Sequence, residues 1–150
     1  MRRATKTATP SLRRGAPGRH GAAAVEFAVV APVFFVFVFG MIEFGRMVMV
    51  QQILTNAARE GARVAILPGA TTSQVQTTAT NYLTAGAVSG ASVTVNPDPP
   101  SSASFGSSVT VTVSVPFKSV SWTPAPFFLG GTGLQAQSIM RTEQSAGSGS

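Results

Sequence analysis

Cysteine is absent from this chain, so no disulfide can staple it and its fold rests on packing alone. Histidine occurs once, at His20, and five acids stand against eleven lysines and arginines. That inventory excludes most site chemistry. Neither a Cys–His pair, a Ser–His–Asp triad nor a His-rich metal site can be assembled beyond Gly21. Paired carboxylates fare no better, because Glu26 and Glu43 belong to opposite ends of an apolar run while Asp98 sits among loop-forming prolines. We expect no enzymatic activity, no cofactor, no metal and no small-molecule substrate.

Acids are also missing from one particular place. Arg2, Arg3, Lys6, Arg13, Arg14 and Arg19 all precede Gly21 with no acid among them, whereas beyond Gly21 five bases face five acids. The net charge of +6 therefore belongs to the leader. A basic arm of this kind can bind nucleic acid, but residues 1–20 lack aromatic interleaving and any binding motif, so no nucleic-acid partner is expected. Ahead of an apolar segment the same charges have a topological meaning: short flanks rich in Lys and Arg stay cytoplasmic. Pro10, Gly15, Pro17 and Gly18 break this leader, which is too polar to bury a core.

What the chain does have is a long apolar run. From Phe27 to Ile42 no residue is charged, and counting back to Ala22 gives twenty-one positions. About 20 residues of helix cross a hydrocarbon core of ~30 Å, so this run reads as one membrane-spanning helix. An A-x-A-like site is lacking after it, where Phe39-Gly-Met-Ile-Glu43 follows, so cleavage beyond the apolar segment is not expected. Pro32 removes one helical N–H and crowds the carbonyl of Ala28; a kink and simple tolerance both fit. Ala22, Ala23, Ala24, Ala28, Ala31, Gly40 and Gly45 are small enough for close helix approach in lipid.

Glu26 needs an explanation, since an ionised side chain in hydrocarbon costs a few kcal/mol unless it pairs or reaches the interface. One reading has it snorkelling to the cytoplasmic headgroups. In the other, a cut after Gly21 would place a new α-amino group on Ala22, four residues away on the same helical face. Carboxylate and amine could then neutralise one another within a subunit or between neighbours.

Beyond the membrane Val48, Ile53, Leu54, Ala57, Ala58, Ala62, Val64 and Ala65 continue a helical pattern until Pro68-Gly69. Glu43 with Arg46, and Glu60 with Arg63, are spaced i,i+3 and are expected to pair on solvated faces. Thr71 and Thr72 can cap a second helix carrying Val75, Ala79, Tyr82 and Leu83 on one side, with Gly86 at its end. The period then changes to two. Val93 and Val95 alternate with polar residues, as do Val109, Val111, Val113 and Val115, and a third strand is expected at 134–142 with Leu134, Ala136, Ser138 and Met140 on one face. The Pro-broken aromatic stretch 122–129 is expected to cover the sheet.

The fold expected is α+β: a single-pass membrane protein whose long N-terminal helix, half transmembrane and half outside, packs on a small antiparallel sheet. Residues 1–21 form the basic leader, 22–50 the transmembrane helix, 51–67 its exposed continuation, 68–144 a small extracytoplasmic α+β domain and 145–150 a flexible tail.

Gly21-Ala-Ala-Ala-Val-Glu26-Phe27, behind a basic leader and ahead of an apolar helix, resembles the cleavage region of class III prepilins. The continuation Gly40-Met-Ile-Glu43-Phe44-Gly45-Arg46, followed by Leu54-Thr-Asn-Ala-Ala-Arg59-Glu60-Gly61-Ala-Arg63, resembles the TadE-like family of pseudopilins of the tight-adherence pilus. The resemblance covers residues 20–67. It implies a pilin-like fold and a pseudopilin or minor pilin, cut by a prepilin peptidase between Gly21 and Ala22, with Glu26 assisting processing or subunit registration. It further implies other pilin and pseudopilin subunits as partners, and the bacterial inner membrane as the location, with the N-terminus cytoplasmic. Phe27 stands where Tyr is frequent in tight-adherence pilins. The rival reading is an unprocessed, anchored surface or periplasmic protein that binds a ligand through its β region.

Overall fold

The computed structural model describes residues 19–122 and 128–142, and by its internal contacts the chain divides into two units, Met1–Phe37 and Val38–Ser150. Most of the leader, the tail 145–150 and the centre of the aromatic stretch lie outside the described residues. The first unit, where described, is helix. Its side chains from Gly21 to Phe37 are exposed apart from a half-buried Ala31, and Phe34 and Phe35 meet edge to face with ring centroids 5.9 Å apart.

Helix α1 is Arg19–Ala65, forty-seven residues with Pro32 inside it. It stops where Pro68 cannot continue it and Gly69 turns the backbone at φ +73°, with Leu67 N–H bonded to Val64 O and Ala70 N–H to Leu67 O. Helix α2, Thr72–Ala85, begins with a capping box: the Thr71 hydroxyl accepts from Gln74 N–H, and the Gln74 side chain accepts from Thr71 N–H. Val75, Ala79 and Leu83 form its buried face, while Tyr82 lies outside that face and is exposed. Gly86 does end the helix, though its φ of −84° is open to any residue; Ala87 takes the left-handed turn at φ +54°. What Gly86 provides is room, because a Cβ there would stand 2.8 Å from Ile53 Cγ2.

Three strands follow, β1 Ser92–Asn96, β2 Ser108–Pro116 and β3 Gly133–Arg141, in the order β1-β2-β3 with both pairs antiparallel. A single 3-10 turn, Pro100–Ser102, lies between β1 and β2, and a one-turn helix α3, Phe117–Val120, follows β2. Register aligns Val93, Val113 and Ala136 across the sheet, as it does Val95, Val111 and Ser138. Alternation then sends Val109, Val111, Val113 and Val115 of the central strand into the core and Thr110, Thr112 and Ser114 to the other face. Ser138 and Met140 are half-buried behind Leu134 and Ala136, the face expected of β3.

The core lies between that valine face and one side of α1. Val50, Leu54, Ala57, Ala58, Ala62 and Ala65 are buried there, joined by Val75 and Leu83 of α2. Small residues set the spacing. A Cβ on Gly61 would meet Val111 Cγ1 at 3.2 Å and Val75 Cγ1 at 3.4 Å, so at this position α1 is seated against both the central strand and α2.

Gly61→Leu should therefore destabilise the unit by about 1–3 kcal/mol through overpacking, and Leu54→Ala by about 2–5 kcal/mol through a cavity. Urea unfolding of the detergent-solubilised protein, followed by far-ultraviolet circular dichroism, measures both.

Candidate functional site

Gly21, Ala22 and Glu26 occupy the beginning of α1, and all three are exposed. Nothing lies within 4 Å of a Cβ built on Gly21. The 21–22 bond is thus free of tertiary packing from the described residues, and the helical period puts Ala22 and Glu26 on one face. The apolar stretch around them qualifies as a single candidate membrane-spanning helix near the N-terminus, with mean hydropathy 2.4 and none of its best window buried.

A second group of side chains lies in the other unit, and it differs from the surface pair that the i,i+3 spacing predicts. Glu43 and Arg46 are not a solvated surface pair: they are 1% and 4% exposed. They fall on the stripe that continues as Val50, Leu54, Ala57, Gly61 and Ala65, so the helix turns both toward the folded unit. Each meets a segment distant in sequence. The Phe128 N–H donates to Glu43 Oε2 at 3.1 Å. Arg46 donates from Nε to Val120 O at 2.8 Å, from Nη2 to Ala87 O at 3.1 Å and from Nη1 to Met49 Sδ at 3.6 Å. Its guanidinium also lies over the Trp122 ring, 4.8 Å from the centroid. One side chain thereby ties the turn after α2 and the end of α3 to α1. The expected Glu60–Arg63 pair does form, with Arg63 Nη2 2.7 Å from Glu60 Oε1 on the surface.

The described ends of the aromatic stretch do not cover the sheet. Trp122 and Phe128 are 66% and 60% exposed, and both lie along α1: Trp122 beside Arg46, Phe128 beside Glu43 and within 3.4 Å of a Cβ built on Gly40. Only Leu129 of the described part packs against the core. An open cavity of about 450 Å³ lies between the start of β1, the end of β2 and the 130–135 segment, but its lining, Gly90, Ser92, Gly131 and Gln135 among others, offers no charged group. No cluster of three or more His, Cys, Asp or Glu occurs among the described residues.

Residues 21–63 match the family model described as TadE-like protein, which covers Gly21, Glu26, Glu43 and Arg46 and stops close to the end of α1. No curated protein and no solved structure matches the chain.

Arg46→Met keeps the stem and removes the hydrogen-bonding fork. Losing charge-assisted bonds to the carbonyl of buried Val120 and to that of Ala87 should cost about 1.5–3 kcal/mol. The same variant should lose protection at residues near Ala87 and Val120, which hydrogen exchange read by mass spectrometry would resolve.

Proposed function

We propose that this TadE-like chain is a pseudopilin or minor pilin of a tight-adherence, Flp-type pilus. In this reading a prepilin peptidase cuts between Gly21 and Ala22, and the mature protein takes part in pilus assembly without enzymatic activity of its own. The observation that carries it is the family match, which begins at Gly21, directly after a leader holding six bases, and runs along α1. An unpacked Gly21 and an exposed, apolar helix fit a bond offered to a membrane peptidase and a surface offered to lipid and neighbouring helices.

The leader charges orient the chain with its N-terminus in the cytoplasm and the residues from Arg46 onward on the outer side of the bacterial inner membrane. Glu26 then lies near the cytoplasmic end of the span, where a lone carboxylate is costly. Once Ala22 carries a free amine, the carboxylate of one subunit can meet the amine of the next, and head-to-tail repetition of that contact builds an open array. Partners of this chemistry are other pilin and pseudopilin subunits.

Protein made in cells with the cognate peptidase should be lighter by the mass of residues 1–21 and should begin at Ala22, as N-terminal sequencing would show. Recovery of the full-length chain alone would favour the unprocessed anchored protein instead. Gly21→Leu should block the cut.

Glu26→Gln should leave membrane insertion and the β region intact while lowering incorporation into pili or the assembly complex several-fold. Co-purification of partner pilins from membranes, at matched expression and processing, gives the comparison. Equal recovery would assign Glu26 to snorkelling.

A further inference from the structure

Burial of Glu43 and Arg46 changes the outside of α1. With both charges turned into the folded unit, the exposed side chains Met41, Ile42, Phe44, Val48 and Met49 carry no charge, so the apolar exterior continues past the end of the charge-free sequence. The next exposed polar side chain on the helix is Gln52. Counting ~20 residues of span from Ala22 ends at Met41, and counting from Phe27 ends at Arg46. The outer boundary of the hydrocarbon thus falls between those two positions.

Trp122 and Phe128 lie at that same level of the helix. Phe128 adjoins Gly40 and Glu43, and Trp122 adjoins Arg46, about 9 Å further along at ~1.5 Å per residue. Phe44, 59% exposed, lies between them in helix height. An exposed Trp at the depth where a span meets water is characteristic of the interfacial belt, in which amphipathic rings sit among the headgroups, and two exposed Phe beside it add apolar area to the same face. The Trp122 ring is additionally held over a guanidinium that is itself bonded to backbone, so its position is set by the fold.

We propose that Trp122 and Phe128, with Phe44, seat the folded unit in the outer headgroup layer of the bilayer. The partner of this face is lipid, and the contact is continuous with the spanning helix. The proposal rests on the membrane-spanning reading of α1.

The chain contains a single tryptophan, so Trp122 reports on itself. Full-length protein would be reconstituted in phosphatidylcholine–phosphatidylglycerol vesicles, shown to float with them, and its fluorescence read with lipids brominated near the glycerol or near the methyl end of the acyl chains. Blue-shifted emission, with a larger loss from the shallow bromines, is expected. Emission at the wavelength of hydrated Trp, quenched by aqueous iodide and untouched by bromolipid, would overturn the docking while leaving the span in place. So would stronger quenching by the deep bromines. Shielding that grows with the protein-to-lipid ratio without bromolipid quenching would assign the face to a second copy and likewise overturn it. Failure to float would overturn the spanning reading and the docking together.

Discussion

Everything in the folded unit depends on how closely one side of α1 can approach the central strand. No disulfide shares the load, and the valines of β2 are buried against one side of α1 together with Val75 and Leu83 of α2. Alanine and glycine at 57, 58, 61, 62 and 65 make that surface nearly flat, so the strand comes close without either element leaving its regular geometry. The arrangement exchanges side-chain volume on the helix for volume on the sheet. It also explains why β1 and β3 can be polar on their outer faces: one well-covered strand in the middle holds both by register.

The buried charges have a different logic. Removing Glu43 and Arg46 from water is unfavourable, and an apolar pair of similar size would serve packing as well or better. What they add is direction. Among their partners are a backbone N–H and two backbone carbonyls from segments distant in sequence, and these bonds are made in one placement of those loops against the helix. No buried side-chain nitrogen or oxygen among the described residues is left without a partner.

Much of this was legible in residue order. The period of two in the valines gave the strands, Thr71 with Gln74 gave a helix start, and Pro68-Gly69 gave a helix end, because each is a local signal with a local cause. For Glu43 and Arg46 the i,i+3 spacing is ambiguous, since it fits a surface pair and equally places both in line with buried Val50 and Leu54. Continuing the apolar stripe backward would have marked both as buried. Tyr82 was assigned to the wrong side for want of a tertiary partner to divide the face at Leu83. No pattern within the sequence could have set Trp122 beside Arg46 or Phe128 beside Glu43, since those contacts join segments more than seventy residues apart. Gly21, Ala22 and Glu26 stand out through a motif, and the roles proposed for them involve other molecules, so the fold of one chain adds their exposure and little else.

The partners of Arg46 and Glu43 also impose an order of events during synthesis. Ala87, Val120 and Phe128 all follow Glu43 and Arg46 in the chain, so both charges are hydrated until those segments have been made and folded. Until then the apolar exterior of α1 is bounded at Ile42, and only when the sheet closes over the helix does it extend to Met49. The nascent chain and the finished protein thus present hydrophobic lengths that differ by about two turns of helix, or ~10 Å. On the membrane-spanning reading of α1, a bilayer that fits one length is mismatched to the other, so folding of the second unit shifts the membrane thickness that suits the helix.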